Sequence, residues 1–381
     1  MKIQDWLERT SRVQIEKLLS TSTADDVETV LNKNNRLSET DFLVLLSDAA
    51  TPFLETMAQK SFELTRKRFG NTIQMFAPLY LSNECQNICT YCGFSLHNKI
   101  PRITLTEKEI ISEVNELKRH GFNHILLVTG ESQKEVGIKY FLRAIHTILP
   151  HIENISLEVQ PLEEEEYAQL ASTGASSILV YQETYHREIY KEYHPKGMKR
   201  NFDYRLETPE RIGKAGIHKI GLGVLLGLDD WRIDSFYTAM HLRFLEKKFW
   251  KTRYSISLPR LRPAVGIEGP RFPVSDKDLV QLICAWRLFD EHLEISLSTR
   301  ETFDFRNHVM KLGITSMSAG SKTNPGGYAL HNESLEQFEI SDERSPGEVA
   351  LSIQSVGMEP VWKDWSHAFD LHKESYHEFK N

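Results

Sequence analysis

Three of the chain's four cysteines fall in one short stretch, Cys85-Gln86-Asn87-Ile88-Cys89-Thr90-Tyr91-Cys92, with the spacing C-x3-C-x2-C. Thiols this close together suit a metal or an inorganic cluster, and four cysteines in 381 residues make no disulfide scaffold. Three thiolates are one short of a closed tetrahedral site. A structural zinc would need a fourth ligand, and His97 is the nearby candidate. A cubane iron–sulfur cluster on three thiolates instead leaves one iron open, as a cluster needs if it binds a substrate and does not only pass electrons. Three inert core thiols are the bland alternative. The fourth cysteine, Cys284, sits among Leu282, Ile283, Ala285 and Trp286 and reads as a buried core thiol.

The cysteine loop must be held by something rigid. It follows the first of eight short apolar runs, at residues 73–81, 125–128, 155–159, 178–181, 220–226, 254–258, 295–298 and 314–318. Between them lie stretches with helical spacing, such as Ile110, Ile111, Val114 and Leu117, or Leu279, Leu282, Ile283 and Leu288. Strands alternating with helices predict an α/β fold, a parallel (β/α)8 TIM-type barrel, with a doubly wound open sheet as the rival. Each run is followed by polar or glycine-rich residues. These include Thr129-Gly130-Glu131, Glu158 with Gln160, Gln182-Glu183-Thr184, Gly227 with Asp229, Pro259-Arg260, Thr299-Arg300-Glu301, and Ser318 with Ser321 and Lys322. A barrel brings such strand ends together in one polar mouth.

Three segments are expected. Residues 1–70 read as a helical N-terminal extension, with Thr23 and Asp26, then Ser38 and Asp41, in capping-box positions, and Thr51-Pro52 opening a longer helix through Leu54, Met57, Phe62 and Leu64. Residues 71–327 form the barrel. Residues 328–381 form a short C-terminal extension packed back on it, with Ser345-Pro346 starting a helix, Gly357 stopping it, and an aromatic segment from Val361 to Trp365. Glu163 to Glu166 read as the solvated first turn of a helix. A net charge of −7 argues against a nucleic-acid partner. No run approaches the ~20 apolar residues of a membrane helix, so no membrane partner is expected. The charged opening from Met1 to Arg9 does not read as a secretory signal, and a soluble protein of a reducing cytoplasm is expected.

The cysteine spacing, with Tyr91 as an aromatic just before the last cysteine and Gly93-Phe94 after it, resembles the radical S-adenosylmethionine superfamily. Longer stretches resemble the 2-iminoacetate synthases, the tyrosine lyases of thiamine synthesis. Among them are Pro78 to Asn83, Leu127 to Glu131, Glu158 to Pro161, Tyr181 to His186, Arg205 to Pro209, Leu297 to Glu301 and Pro325 to Tyr328. The resemblance implies a [4Fe-4S] cluster and S-adenosyl-L-methionine as cofactors. It implies cleavage of the Cα–Cβ bond of L-tyrosine to 2-iminoacetate and p-cresol, with methionine and 5′-deoxyadenosine as co-products. It also implies thiazole synthase as a partner and a flavodoxin- or ferredoxin-like electron donor.

On that resemblance Cys85, Cys89 and Cys92 are the cluster ligands. Thr129, Gly130 and Glu131 take the place of the superfamily's glycine-rich second-strand motif, with Thr129 replacing one glycine and a helix cap as the bland reading of Glu131. Glu183 and Arg205 suit the ammonium and carboxylate of S-adenosylmethionine. A surface ion pair with Glu207 or Glu210 is the rival for Arg205. Glu158 and Gln160, two apart on the third strand, either face the mouth or fill a polar barrel layer. Arg300 is the choice for the tyrosine carboxylate, Ser318 for an assisting donor, and Tyr91 for a contact with the substrate amine or packing over the cluster. Gly221 and Gly223 read as a close approach to the barrel interior, not as a dinucleotide fingerprint. His186 and His194 read as residues of an exposed helix. The rivals are a hydrogenase maturase, for which no cysteine after Cys284 could hold a second cluster, a tryptophan lyase, and a zinc-stapled interaction module on Cys85, Cys89, Cys92 and His97.

Overall fold

The computed structural model describes residues 1–262, 269–330 and 336–363. Five helices come first: α1 (Ile3–Leu7), α2 (Arg12–Thr21), α3 (Ala24–Leu31), α4 (Glu39–Leu46) and α5 (Leu54–Phe69). Capping boxes at Thr23/Asp26 and Ser38/Asp41 start α3 and α4, as their spacing predicts. The segment opened by Thr51-Pro52 differs. It is a 3-10 turn from Asp48 to Phe53 before α5 begins, and α5 buries Met57, Ser61 and Thr65 while Phe62 is exposed.

The barrel alternates β1 (Thr72–Ser82), α6 (Glu107–Arg119), β2 (His124–Thr129), α7 (Ile138–Ile148), β3 (Asn154–Glu158), α8 (Glu164–Thr173) and β4 (Ala175–Leu179). Three short helices, α9 (Arg187–Tyr193), α10 (Phe202–Leu206) and α11 (Thr208–Lys214), lead to β5 (Lys219–Gly223). Then follow α12 (Trp231–Lys248), β6 (Arg253–Ser257), α13 (Asp276–Phe289), β7 (Glu294–Leu297), α14 (Phe303–Val309) and β8 (Ser316–Ser318). All eight strands pair in parallel. β1 pairs with β2 through Ala77 and Ile125 and with β8 through Phe76 and Ser318, so the sheet closes. That closure excludes the open doubly wound sheet.

After the barrel come α15 (Pro346–Ser355), capped by Ser345 with Pro346 in its first turn, and β9 (Glu359–Val361). Gly357 stops the helix in the left-handed region at φ 78°. β2 begins opposite Ala77, so the start of β1 has a free edge, and β9 fills it by pairing at Thr72, Ile73 and Gln74. Trp362 then packs edge-on against Phe122 with centroids 5.3 Å apart, and its carbonyl accepts from Asn123 N–H at 3.1 Å. Asp364 and Trp365, the rest of that aromatic segment, lie outside the described residues.

The apolar core lies between the sheet and its surrounding helices. Phe42 of α4 packs at a tilt against Trp286 and Phe289 of α13, with ring centroids 4.6 and 4.9 Å apart, and Trp6 Nε1 donates to the Met240 carbonyl at 2.9 Å. Cys284 is fully buried in this layer. The interior of the barrel is different. A TIM barrel is ordinarily filled by bulky branched side chains. Here Phe76, Leu126 and Leu179 of β1, β2 and β4 line one cavity with Ser255, Ser257, Ser296, Ser316 and Ser318 of β6, β7 and β8 and with Ser298 just after β7. A Cβ on Gly221 would fall 2.4 Å from Leu179, and one on Gly223 would fall 2.8 Å from Tyr181. The two glycines thus admit side chains from β4 and the turn after it, and at Gly223 also the backbone carbonyl of Ser257, 2.8 Å from the same Cβ position.

Truncating Trp362 to alanine should lower unfolding stability by about 2 kcal/mol, the range for a half-buried aromatic that leaves a gap behind. A urea midpoint shift at unchanged slope is the measurement.

Candidate active site

The carboxyl ends of the strands face one cavity. Cys85, Cys89 and Cys92 line it, with Thr129, Gly130, Glu131, Glu158, Glu183, Arg205, Arg300 and Ser318. The fifth strand's end departs from the expected pattern. Asp229 turns away to receive a two-pronged ion pair from Arg12 of α2 at 2.5 and 3.2 Å, with His186 3.3 Å away.

The cysteine loop has no regular structure of its own, so neighbours must satisfy its backbone. Gln86 N–H donates to the Glu131 carbonyl, Ile88 N–H to Lys196, Thr90 N–H to Tyr193 and Gly93 N–H to Gln337, all at 2.9–3.1 Å. Residues 193–199 thus run beside the loop as a brace. Gly197 sits at φ 92° where a Cβ would overlap Asn87 Oδ1, and Asn87 Oδ1 accepts from Lys199 N–H at 3.0 Å. A Cβ on Gly93 would lie 2.4 Å from the Glu336 carbonyl, and one on Gly130 would lie 2.2 Å from that of Glu84. These two glycines let chain segments pass at backbone contact.

The donor set fits an iron–sulfur cluster. Three thiols share one cavity, Gln337 Nε2 approaches Cys92 Sγ at 3.8 Å, and burial pushes all three thiols up, Cys85 to about 11. Bound iron would hold them as thiolates. Among the described residues no three His, Cys, Asp or Glu side chains come together for a single metal ion, and His97 is exposed. The geometry therefore does not assemble the zinc site. Thr129 Oγ1 and Ser321 Oγ, both on the cavity wall, are buried without a partner among the described residues, as expected where a polar ligand sits.

Beside the cysteines, four charges are buried together. Arg205 Nη1 donates to Glu131 at 2.9 Å, Lys199 Nζ to Glu183 at 2.7 Å, and the cross contacts are 3.6 and 4.0 Å. Burial opposes ionisation of Glu131 and Glu183, but Arg205 and Lys199 outweigh it and hold both carboxyls below their ordinary values. Arg205 makes no surface pair with Glu207 or Glu210. Its side chain is 6% exposed and its Nε donates to the Tyr181 carbonyl. Nor is Glu131 a helix cap, since its second oxygen accepts from Asn87 Nδ2 at 2.7 Å. Glu183 is the one non-glycine residue among those described with positive φ, at 71°. Its turn is pinned by Asp234 of α12, which accepts from Tyr185 N–H at 2.8 Å and Thr184 Oγ1 at 3.1 Å. Backbone held in this sparsely populated region is a mark of functional sites.

Across the cavity stands Arg300. Its guanidinium lies 3.4 Å over the Phe338 ring and has no carboxylate within ion-pair distance among the described residues. Burial pulls it below its usual value. Ser318 Oγ accepts from Thr299 N–H at 3.1 Å, which leaves its hydroxyl hydrogen free to donate. Glu158 also faces the cavity and is raised to about 7, by burial first and by Glu183 next.

Two expected placements change. β3 ends at Glu158, so the alternation that put Gln160 on the same face stops there. Gln160 leaves the main cavity, donates to the Val136 carbonyl at 3.2 Å and lines a side pocket with Glu131, Lys199 and Arg205. His194 is not on an exposed surface. It is fully buried, and its Nε2 lies 2.7 Å from the Tyr91 hydroxyl. That bond occupies the hydroxyl expected to meet the substrate amine.

Lys199, His194, Asn87 and Gln337 are the site residues that sequence reasoning missed. Gly197 amid Lys196, Met198 and Lys199 was the available sign, a glycine opening a basic turn without strand or helix pattern.

The chain matches the Radical SAM superfamily model over residues 79–240 and the Biotin and Thiamin Synthesis associated domain over residues 257–359. It is 52% identical to the 2-iminoacetate synthase of Salmonella typhimurium over 90% of this chain and 91% of that one. It is 50% identical to that of Escherichia coli over the same shares. Among solved structures, HydG, a maturase of the [FeFe]-hydrogenase, superposes with a TM-score of 0.87 at 33% identity, over 95% of this chain and 79% of that one. The cysteine loop, the closed barrel and the whole-length similarity agree: the chain belongs to the 2-iminoacetate synthase family of radical S-adenosylmethionine enzymes.

Proposed function

We propose that this chain cleaves the Cα–Cβ bond of L-tyrosine to 2-iminoacetate and p-cresol, with methionine and 5′-deoxyadenosine formed alongside, in supply of the thiazole of thiamine. The observation that carries the residue assignment is the Arg300 guanidinium, which faces the same cavity as the three cysteines and has no carboxylate within ion-pair distance among the described residues. A desolvated guanidinium whose fork no carboxylate occupies is a site for one.

Cys85, Cys89 and Cys92 would hold the [4Fe-4S] cluster. Thr129, Gly130 and Glu131 would receive the amino end of S-adenosylmethionine, and Arg205 with Lys199 its carboxylate. When bound, the cluster and S-adenosylmethionine supply the electron and the carbon radical that abstracts hydrogen. The chain's own groups orient the substrate. Arg300 forks onto the tyrosine carboxylate, Ser318 donates a further hydrogen bond, and the amino group is left toward the cysteine end. Phe76, Leu126, Leu179 and Phe338 form the apolar part of the wall, which limits water that would hydrolyse an imine product. Glu158, near neutral in its affinity for protons, is placed to accept a hydrogen bond from substrate. The family resemblance adds thiazole synthase and a flavodoxin- or ferredoxin-like donor as partners, and the charged opening and sparse cysteines favour a cytoplasmic location.

Anaerobic incubation with L-tyrosine, S-adenosylmethionine and a reductant should give p-cresol, 5′-deoxyadenosine and glyoxylate, the hydrolysis product of iminoacetate. Indole products from tryptophan, with none from tyrosine, would reassign the substrate. Reconstituted protein should be brown with about four irons per chain, and Cys89→Ser should lose the colour. Colourless protein with stoichiometric zinc would sink the reading. Arg300→Ala should raise KM for tyrosine by about 100-fold, the loss of one charge-assisted fork, with Arg300→Lys recovering part of it. Lys199→Met, compared with the unaltered protein at matched iron content, should weaken S-adenosylmethionine binding roughly tenfold by calorimetry.

A further inference from the structure

Tyr91 stands between two of the cluster cysteines and lines the cavity in which the reading above requires a primary carbon radical. A phenol O–H bond is weaker than the primary C–H bond such a radical forms. A tyrosine hydroxyl aimed into this cavity would therefore lose its hydrogen atom in a downhill step. The O–H bond would break, a C–H bond would form on the carbon radical, and a phenoxyl radical would remain on the protein, with no other reactant used. The radical would be spent before it met the substrate.

The hydroxyl of Tyr91 is not aimed that way, and the reason can be read from hydrogen-bond roles. His194 Nδ1 lies 2.7 Å from the Tyr190 carbonyl. A carbonyl only accepts, so Nδ1 carries the hydrogen. The imidazole is fully buried and has no carboxylate within ion-pair distance among the described residues, so it is neutral and Nε2 is bare. The Tyr91 hydroxyl, 2.7 Å from Nε2, must then be the donor. The two rings meet edge-on at 88°, with centroids 5.5 Å apart. Backbone bonds from Ile88 to Lys196 and from Thr90 to Tyr193 tie the two segments together around this contact.

We infer that His194 is a positioning residue that turns the Tyr91 O–H bond away from the cavity, so that the substrate, and not the protein's own phenol, gives up hydrogen. The inference rests on the radical reading of the site. A carbon radical takes proton and electron together on one atom, so it needs the O–H bond pointed at it. A hydrogen bond that points O–H at Nε2 withholds it. The shorter alternative, phenylalanine at position 91, would lose the bond that fixes the loop to its brace.

The test measures coupling. The unaltered protein should form one 5′-deoxyadenosine per p-cresol. His194→Leu, loaded to the same iron content, should raise that ratio several-fold. It should also give a phenoxyl signal in frozen turnover samples by electron paramagnetic resonance, narrowed when the protein is grown on ring-deuterated tyrosine and given ordinary substrate. Adding Tyr91→Phe to His194→Leu should remove the signal and restore the ratio. A separate reading needs no turnover. Nitrogen-15 histidine spectra of the iron-free protein, compared with those of His194→Leu, should show His194 with its hydrogen on Nδ1. An unchanged ratio without a protein radical, a double variant that stays uncoupled, or hydrogen on Nε2 would each overturn the inference. Absence of p-cresol from the unaltered protein would instead sink the proposed function, which keeps the two failures apart.

Discussion

Two carboxylates and two cations packed out of water must neutralise one another, and the fold around the cavity follows from that requirement. Glu131 comes from the turn after β2, Glu183 from the turn after β4, Lys199 from the short 3-10 turn that ends the brace, and Arg205 from α10. Removing any one of them would strand a buried charge, which costs more than the pair itself contributes. The network therefore sets the relative position of three otherwise separate loops. The brace of residues 193–199 ends in Lys199, so the same network also holds the wall against which the cysteine loop is bonded. Glu183 keeps its left-handed backbone because Asp234, Leu225 and Lys199 grip it from three sides.

This arrangement explains how a loop without helix or strand can present three thiols in a fixed geometry. Its anchors reach it from three separate segments: Glu131 from the second strand's end, Lys196 and Tyr193 from the brace, and Gln337 from the chain beyond β8. The positions where backbones touch are glycines, Gly93, Gly130 and Gly197, because a side chain there would overlap a carbonyl or an amide oxygen. The site is pre-formed by packing and hydrogen bonds, with the polar wall already oriented toward a ligand.

The eight strands were legible because each is a short apolar run bounded by turn residues, and a fully buried parallel strand leaves that mark whatever its neighbours are. Strand ends converged on the cavity for the same reason; Cys85, Cys89 and Cys92 stood out by their spacing, and Arg300 and Ser318, chosen on the resemblance, line the same cavity. Gln160 was misplaced because sequence alternation does not say where a strand stops. Lys199 and His194 were missed because they sit in a segment with no period, where burial is decided by the loop packed against it. His194 follows Tyr193 at the end of a helix that looks polar along its length, and only the tertiary contact with Tyr91 puts it inside. Patterns report which face of a regular element is covered. They are silent about irregular chain, and catalytic loops are irregular by nature.

The serine-lined half of the barrel has a consequence for where this molecule is vulnerable. An interior that holds a cavity gives less apolar packing between opposite strands than a filled one, so the barrel leans on what holds it from outside, like staves on hoops. The layer of helices is one hoop. The N-terminal helices, clasped to α12 and α13 through Trp6 and Phe42, are a second, and β9 with Trp362 closes the seam beside β1. Damage to this outer girdle would act on the active site without touching it, by letting the strand ends drift apart.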